Sequence, residues 1–111
     1  MTTYRPGDVV LVSFPFADQG QRKKRPAVVV ADTGDSDVIM ARVTTQRRSS
    51  AYEVSLQDWK SAGLLAPSVV RIHKLATIEK GLVSTRLGSI SEGDRKSILA
   101  GLRSLWRGWG D

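Results

Sequence analysis

The apolar residues in the first half of the chain fall into three short runs separated by polar turns. The β-branched and aromatic residues of Asp8 to Phe14 predict a first strand, which Pro15 ends because proline cannot donate to a ladder. Pro26 to Ala31 predicts a second strand, and its first position tolerates the missing proline N–H. Val38 to Thr45 is apolar at first and then alternates, which predicts a buried third strand whose end emerges at a surface.

The middle of the chain predicts further strands. Residues 52–56 alternate cleanly as a fourth strand. Residues 57–63 have room only for a short helix, which the glycine at their end would stop. Residues 68–80 and 82–90 predict two more strands, the first of them broken near Lys74.

The end of the chain carries the clearest helical pattern. Ser91 and Asp94 have the spacing of a capping box. One apolar face follows at helical spacing, formed by Ile98, Leu99, Leu102, Leu105 and Trp106. In all, the pattern predicts one mainly β domain over residues 1–111, with five to seven strands, a short helix and a C-terminal amphipathic helix. A small curved sheet or open barrel covered by the helix would bury these faces.

Charge points to the kind of partner. Lys and Arg number 17 against 11 Asp and Glu, which gives a formal net charge of +6. Eleven of the cations are Arg, whose planar fork holds a phosphate with two parallel hydrogen bonds. The cations cluster in KKR at residues 23–25, just before the second strand, and in RR at residues 47–48, just after the third. This distribution predicts an anionic partner, nucleic acid first.

Several kinds of chemistry are excluded or disfavoured. The chain has no cysteine, so it has no disulfide, thiolate nucleophile or cysteine zinc site, and no serine lies in a G-x-S-x-G elbow. Asp32, Asp35 and Asp37 lack the glutamate that an EF-hand loop needs at its twelfth position, so they indicate a turn. The one histidine, His73, alternates with apolar residues and favours packing or an interface over catalysis. We expect no metal and no other cofactor.

No segment approaches the ~18 continuous apolar residues of a membrane span, and the N-terminus lacks the pattern of a secretory signal. We therefore expect a cytoplasmic protein with no membrane partner.

The aromatic residues allow two interpretations. Phe14, Phe16 and Trp59 offer stacking faces in one and core packing in the other, while Trp106 and Trp109 would seal the core or a dimer.

Phosphate chemistry remains available to such a chain if the substrate is RNA. The 2′-hydroxyl is RNA's own nucleophile, so cleavage needs an oriented backbone, proton transfer and charge stabilisation at the phosphoryl group. An arginine fork and a threonine hydroxyl in one groove could begin the reaction. Thr44 and Thr45 end the third strand, and only one of them can face a shared groove because successive side chains point to opposite faces. The composition permits an RNA-cleaving enzyme without establishing one.

The motifs, taken in order, resemble the MazF/PemK family of type II toxin–antitoxin ribonucleases. The matching stretches cover nearly the whole chain: PGDVVLVSFPF, KKRPAVVVA, ARVTTQ, DWKSAGLLAPSVVR, KLATIEK and RLGSIS. The resemblance implies a small SH3-like β-barrel of the CcdB–MazF type and a homodimer with an RNA groove along its interface. It also implies a cognate antitoxin that blocks the groove. The implied activity is sequence-specific, metal-independent cleavage of single-stranded RNA, leaving 2′,3′-cyclic phosphate and 5′-hydroxyl ends.

Carried over residue by residue, the family's catalytic arginine falls on Arg25 and its catalytic threonine on Thr44. The segment 17–24 corresponds to the loop over the active site, and TTQRR departs from the commoner single threonine followed by serine or glycine. Arg25 would stabilise phosphorane charge, and the family pattern also makes it a proton-transfer residue. Thr44 would hydrogen-bond a phosphate oxygen. The residues expected to bind RNA are Lys23, Lys24, Thr45, Gln46, Arg47, Arg48 and Phe14.

Each of these residues also has a purely structural interpretation. The less favoured alternative for Arg25 is a surface cation, and for Thr44 it is ordinary strand packing. Two other functions remain open from the sequence: a non-enzymatic inhibitor of DNA gyrase in the manner of CcdB, and an RNA-binding member of the family without turnover.

Overall fold

The computed structural model describes residues 2–14, 23–47 and 50–110. Within these ranges the chain forms six strands, one α-helix and two single-turn 3-10 helices. The strands are β1 Asp8–Phe14, β2 Lys23–Ala31, β3 Asp37–Thr44, β4 Glu53–Ser55, β5 Val69–Glu79 and β6 Val83–Ser89. The helix α1 is Glu92–Leu105, and the 3-10 turns are Lys80–Leu82 and Arg107–Trp109.

The six strands form one sheet in the order β4-β5-β3-β2-β1-β6, and every neighbouring pair is antiparallel. The prediction of a mainly β fold with a C-terminal helix is confirmed. The sheet is open in the described part of the chain, with β4 and β6 as its edge strands.

Both faces of the sheet are buried, because the apolar residues of the central strands run without interruption. Val9, Val28 and Ala41 lie side by side on one face, in a core that includes Ile98 of α1. The residues next to them in sequence point to the opposite face. There a second core contains Val10, Val12, Ala27, Val29, Val38, Met40 and Ile78.

A large irregularity divides β5. Ala41 of β3 pairs with Leu75, whereas the next residue, Arg42, pairs with Arg71, so residues 72–74 are extra residues on β5. The predicted break near Lys74 is therefore a bulge inside one strand. The part of β5 before the bulge pairs with both β3 and β4, which places Arg71 between Arg42 and Glu53.

The N-terminus of α1 is fixed by two side chains. The Ser91 hydroxyl accepts the Asp94 N–H at 3.3 Å, as the capping pattern predicts. The Asp94 carboxylate has a different role from the one a capping box would give it. It is 3% exposed and accepts the backbone N–H groups of Gln57 and Asp58, each at 2.9 Å. The helix thereby holds the segment that follows β4.

Two predictions for this region are wrong. Residues 57–63 form bends and hydrogen-bonded turns instead of a short helix. Gly63 ends the segment, as predicted: it adopts a φ of +88° and lies against β6, where a Cβ would collide with the Leu87 carbonyl oxygen. Leu99 and Trp106 were expected on the buried face of α1 but are 43% and 46% exposed, because they lie at the margins of the apolar stripe.

Among the described residues, no helix has both the length and the apolar character needed to cross a membrane.

Candidate active site

A groove opens where β2 and β3 separate. The two strands pair from Ala31–Ile39, across an irregularity, to Val29–Met40, Val28–Ala41 and Ala27–Arg42, and their pairing ends there. Before Ala27, β2 stays paired with β1 as far as Lys23, whereas β3 beyond Arg42 stays paired with β5 as far as Thr44. Each strand therefore follows its outer neighbour, and a wedge is left between them.

Pro26 accounts for the position of the split. The Val29 carbonyl accepts the Gly7 N–H on the β1 side. Along a strand, the backbone N–H and C=O groups of successive residues point to opposite neighbouring strands. If those of residue 29 point to β1, those of residues 28 and 26 point to β3. Continuing the register would place Pro26 opposite Val43. Proline has no N–H to donate, so the ladder loses a bond where it would extend.

The wedge is a groove of about 380 Å³ lined by residues of three strands and the turns beside them. Its walls are formed by Arg25, Pro26, Arg42, Val43, Thr44, Thr45, Gln46, Ser68 and Arg71. The structure thus brings Arg25 and Thr44, far apart in sequence, into one groove. If the pairing of β2 and β3 continued past Ala27–Arg42, the two residues would stand directly opposite each other.

The Thr44 hydroxyl has a defined orientation. Thr44 is half-buried at the end of β3, and its Oγ1 accepts the Gln46 N–H at 3.1 Å. This bond starts the turn that leads the chain away from the sheet. The hydroxyl proton stays available for donation to a ligand in the groove. Thr45 is exposed and lies beyond the strand, so the two threonines have different environments.

Four groove residues were not singled out from the sequence. Arg42, Val43, Ser68 and Arg71 line the wall built by β3 and β5. Arg42 could have been found, since it precedes Thr44 by two positions on an alternating strand and shares its face. Arg71 and Ser68 reach the groove only through the β3–β5 pairing, which leaves no local signal. The Ser68 side chain donates to the Ala66 carbonyl at 2.7 Å.

Charge in the groove is strongly positive. Arg25, Arg42 and Arg71 all contribute to its lining, and no carboxylate of the described residues 2–14, 23–47 and 50–110 does. The guanidinium group keeps its charge throughout the physiological range. One carboxylate outside the lining, that of Glu53, pairs with Arg71, with its Oε2 3.7 Å from Arg71 Nε. The groove is therefore suited to a phosphate-bearing ligand.

The other predicted RNA-binding residues divide into three groups. Thr45 and Gln46 line the groove. Lys23, Lys24 and Arg47 are exposed on the segments that lead into it, without lining it. Arg48, the side chain of Phe14, and most of the predicted loop over the site lie outside the described residues.

The remaining candidates take no part in the groove. His73 is half-buried, with its ring centre 5.9 Å from that of Tyr52, and its buried Nδ1 has no hydrogen-bond partner within the part of the chain that the structure describes. Trp59 packs against the core beneath α1, whereas Trp109 is 92% exposed. The described residues contain no cluster of His, Cys, Asp and Glu that could hold a metal ion.

Asp32, from the acidic cluster, is a structural anchor. Its carboxylate accepts the N–H groups of Tyr4 at 2.8 Å and Gly34 at 2.9 Å, and pairs with Lys80 Nζ at 3.0 Å. These contacts, the Tyr4 N–H first, lower the pKa of Asp32 from 3.8 to about 2. Asp35 accepts the Asp37 N–H within the same turn. The carboxylates of Asp32 and Asp35 therefore accept backbone N–H groups, as the turn interpretation requires.

Comparison with known proteins agrees with this arrangement. Residues 5–106 match the model of the PemK-like, MazF-like toxins of type II toxin–antitoxin systems. The chain belongs to this family. A search of curated protein sequences finds no match.

Solved structures of MazF toxins and related endoribonucleases share the fold. An endoribonuclease in complex with its cognate antitoxin, from a mycobacterial species, superposes with a TM-score of 0.75 at 18% identity, over 92% of this chain and 93% of that one. The Mycobacterium tuberculosis toxin MazF-mt6 gives 0.72 at 21%, over 90% and 94%. MazF from Deinococcus radiodurans gives 0.73 at 20%, over 95% and 97%.

Proposed function

We propose that this MazF/PemK-family toxin is an endoribonuclease that cleaves single-stranded RNA at specific sequences without a metal ion. The observation that carries the proposal is the placement of Arg25 and Thr44 in one cationic groove at the split between β2 and β3. Membership of a toxin family whose structural neighbours include endoribonucleases supports it.

The proposed reaction is a transesterification. The 2′-oxygen attacks the adjacent phosphorus, the P–O5′ bond breaks, and the 2′-hydroxyl proton is lost while the 5′-oxygen gains one. The products are a 2′,3′-cyclic phosphate and a 5′-hydroxyl. Because negative charge grows on the non-bridging oxygens, a fixed guanidinium and a hydroxyl donor stabilise the transition state more than the ground state. Arg25 supplies the guanidinium, and Thr44 donates its hydroxyl to a phosphate oxygen.

RNA binding would extend beyond the reacting phosphate. Arg42 and Arg71 line the same groove and would contact flanking phosphates, while Thr45 and Gln46 offer polar groups to base edges. Lys23, Lys24 and Arg47 are exposed beside the groove and would attract RNA over a longer range.

The proposed partners are a second copy of the chain and a cognate antitoxin, in the cytoplasm. Among the structural neighbours, one is an endoribonuclease in complex with its cognate antitoxin and another is MazE–MazF from Deinococcus radiodurans. An antitoxin segment that enters the cationic groove would compete with RNA for the same arginines.

The test is to incubate the purified protein with a long single-stranded RNA in EDTA and to map the fragment ends. We expect discrete cuts, 5′ ends that accept phosphate from polynucleotide kinase, and no change in rate when EDTA is replaced by Mg²⁺. Strong inhibition by EDTA or 5′-phosphate ends would contradict the proposed chemistry. If the RNA stays intact and DNA gyrase is inhibited, the CcdB-like alternative is favoured. If the protein binds RNA without cleaving it, a non-catalytic RNA-binding module is favoured.

A further inference from the structure

A buried carboxylate lies behind the groove, next to one of its arginines. The side chain of Glu53 on β4 is 2% exposed and faces Arg71 across the β4–β5 pair. Its Oε2 is 3.7 Å from Arg71 Nε, within ion-pair range but longer than a hydrogen bond. Glu53 does not line the groove itself.

Arg71 joins this carboxylate to the groove. Its side chain is 21% exposed, and its Nε is buried without a hydrogen-bond partner among the described residues. The same residue lines the groove together with Arg25 and Arg42. Arg71 is therefore attracted by Glu53 and also belongs to a groove lined by two further arginines.

We propose that Glu53 is a positioning residue that holds the Arg71 guanidinium in the groove as a binding group for RNA phosphate. The inference rests on the proposed function, because it assumes that RNA occupies the groove. Glu53 acts only through Arg71 and does not touch the substrate.

Two physical considerations support the role. A buried ion pair rarely stabilises a protein more than a well-packed apolar pair of similar volume, so stability alone does not explain a carboxylate at this position. Three guanidinium groups in one groove also repel each other when no phosphate is bound, and an arginine has many rotamers that lead into solvent. The negative charge of Glu53 opposes both effects, because it offsets the repulsion and restricts the Arg71 side chain before RNA binds. The entropy cost of ordering this side chain on binding is therefore smaller.

The test measures RNA affinity in an Arg25→Ala background, which is expected to prevent cleavage during the measurement. Dissociation constants for a fluorescent single-stranded RNA are determined by anisotropy over a range of salt concentrations. We expect Glu53→Gln to weaken binding roughly tenfold and to lower the salt dependence by about one phosphate contact, a change of ~0.7 in slope. Glu53→Gln/Arg71→Met should bind no more weakly than Glu53→Gln alone. The control is Glu79→Gln, the same substitution at an exposed glutamate on β5 away from the groove, and it should bind RNA as tightly as the Arg25→Ala protein does.

The variants separate positioning from a purely structural role. If Glu53→Gln lowers the melting temperature but leaves RNA affinity and salt slope unchanged, while the double variant loses affinity, Arg71 binds without help and the inference is wrong. Should Glu53→Gln fail to fold, Arg71→Lys decides the question. A lysine has a single nitrogen and cannot face Glu53 and the groove together, so it should lose affinity similarly, and full affinity would overturn the inference. A wild-type protein that neither binds nor cleaves RNA would instead overturn the proposed function, and this inference with it.

Discussion

Arg25 of β2 and Thr44 of β3 each lie two residues beyond Ala27 and Arg42, the last pair that joins the two strands. In a continuous sheet they would be a cross-strand pair with their side chains in contact. Here each strand follows its outer neighbour, so the two side chains border a groove instead. The split thus replaces a packed cross-strand pair by a groove lined by an arginine and a threonine, and this is where we propose that the RNA phosphate binds.

Removal of the Thr44 hydroxyl should impair catalysis more than folding. Thr44→Val keeps the shape of the side chain but removes the hydroxyl, which is the proposed donor to the phosphate and the acceptor of the exposed Gln46 N–H. We expect kcat for RNA cleavage to fall by about 10²–10³, the usual cost of one transition-state donor. Thr44→Ser keeps a hydroxyl and should retain much of the activity. Thr77→Val, an exposed position at the far end of β5, is the matched control. A folded Thr44→Val protein with an unchanged kcat would rule out the proposed role.

Restoring a backbone donor at the split should narrow the groove. Pro26→Ala supplies an N–H on the β3 side of β2, so pairing with Val43 becomes possible and the ladder can extend toward the site. We expect the variant to fold with equal or greater stability and to cleave RNA with a raised KM. Urea denaturation and steady-state kinetics measure the two effects. Wild-type KM in a stably folded variant would show that the missing N–H does not keep the groove open.

The Asp32 anchor should make stability dependent on pH in the acid range. Its pKa is lowered from 3.8 to about 2 in the folded protein, so its contribution is complete above pH ~4 and is lost as the pH falls toward 2. Asp32→Asn should be less stable than the wild type at pH 7, and the difference in melting temperature should shrink between pH 4 and 2. Asp35→Asn, on the same turn, should follow the wild-type profile. A constant difference at all pH values would refute the assignment.

The buried Asp94 carboxylate should contribute to the stability of the fold. Asp94→Asn places an NH₂ group against one of the two N–H donors of Gln57 and Asp58, which leaves a buried donor without an acceptor. We expect a loss of about 1–3 kcal/mol in the free energy of unfolding, measured in urea. Glu92→Gln, an exposed carboxylate in the same helical turn, should lose less than about 1 kcal/mol. Equal losses in both variants would contradict the anchoring role of Asp94.

Local sequence patterns predicted the strands better than the site. The first strand was placed correctly at Asp8–Phe14, because a β-branched run bounded by turn residues is a local signal. The second strand begins at Lys23, three residues earlier than predicted, because Lys23, Lys24 and Arg25 pair with β1 despite their charge. Such an extension depends on the partner strand and not on the residues that are extended.

The composition of the groove also depends on strand pairing that local sequence patterns do not reveal. Arg25 and Thr44 were found through a family resemblance and a position at strand ends, and their catalytic roles stay predictions. Arg71 and Glu53 come together only because β5 pairs with β3 on one side and β4 on the other. The bulge at residues 72–74 shifts this register, and no property of those residues predicts its size. Non-local pairing is therefore what the sequence could not supply.

The most direct test of the central claim is the single-turnover rate of RNA cleavage by Arg25→Ala beside the wild type in EDTA. Arg103→Ala, an exposed arginine on α1 outside the groove, serves as the matched control, and circular dichroism confirms that all three proteins are folded. We predict that Arg25→Ala loses at least about 10²-fold in rate, while Arg103→Ala cleaves the same sites at the wild-type rate. A folded Arg25→Ala protein that cleaves as fast as the wild type would show that the groove at the β2–β3 split is not the catalytic centre.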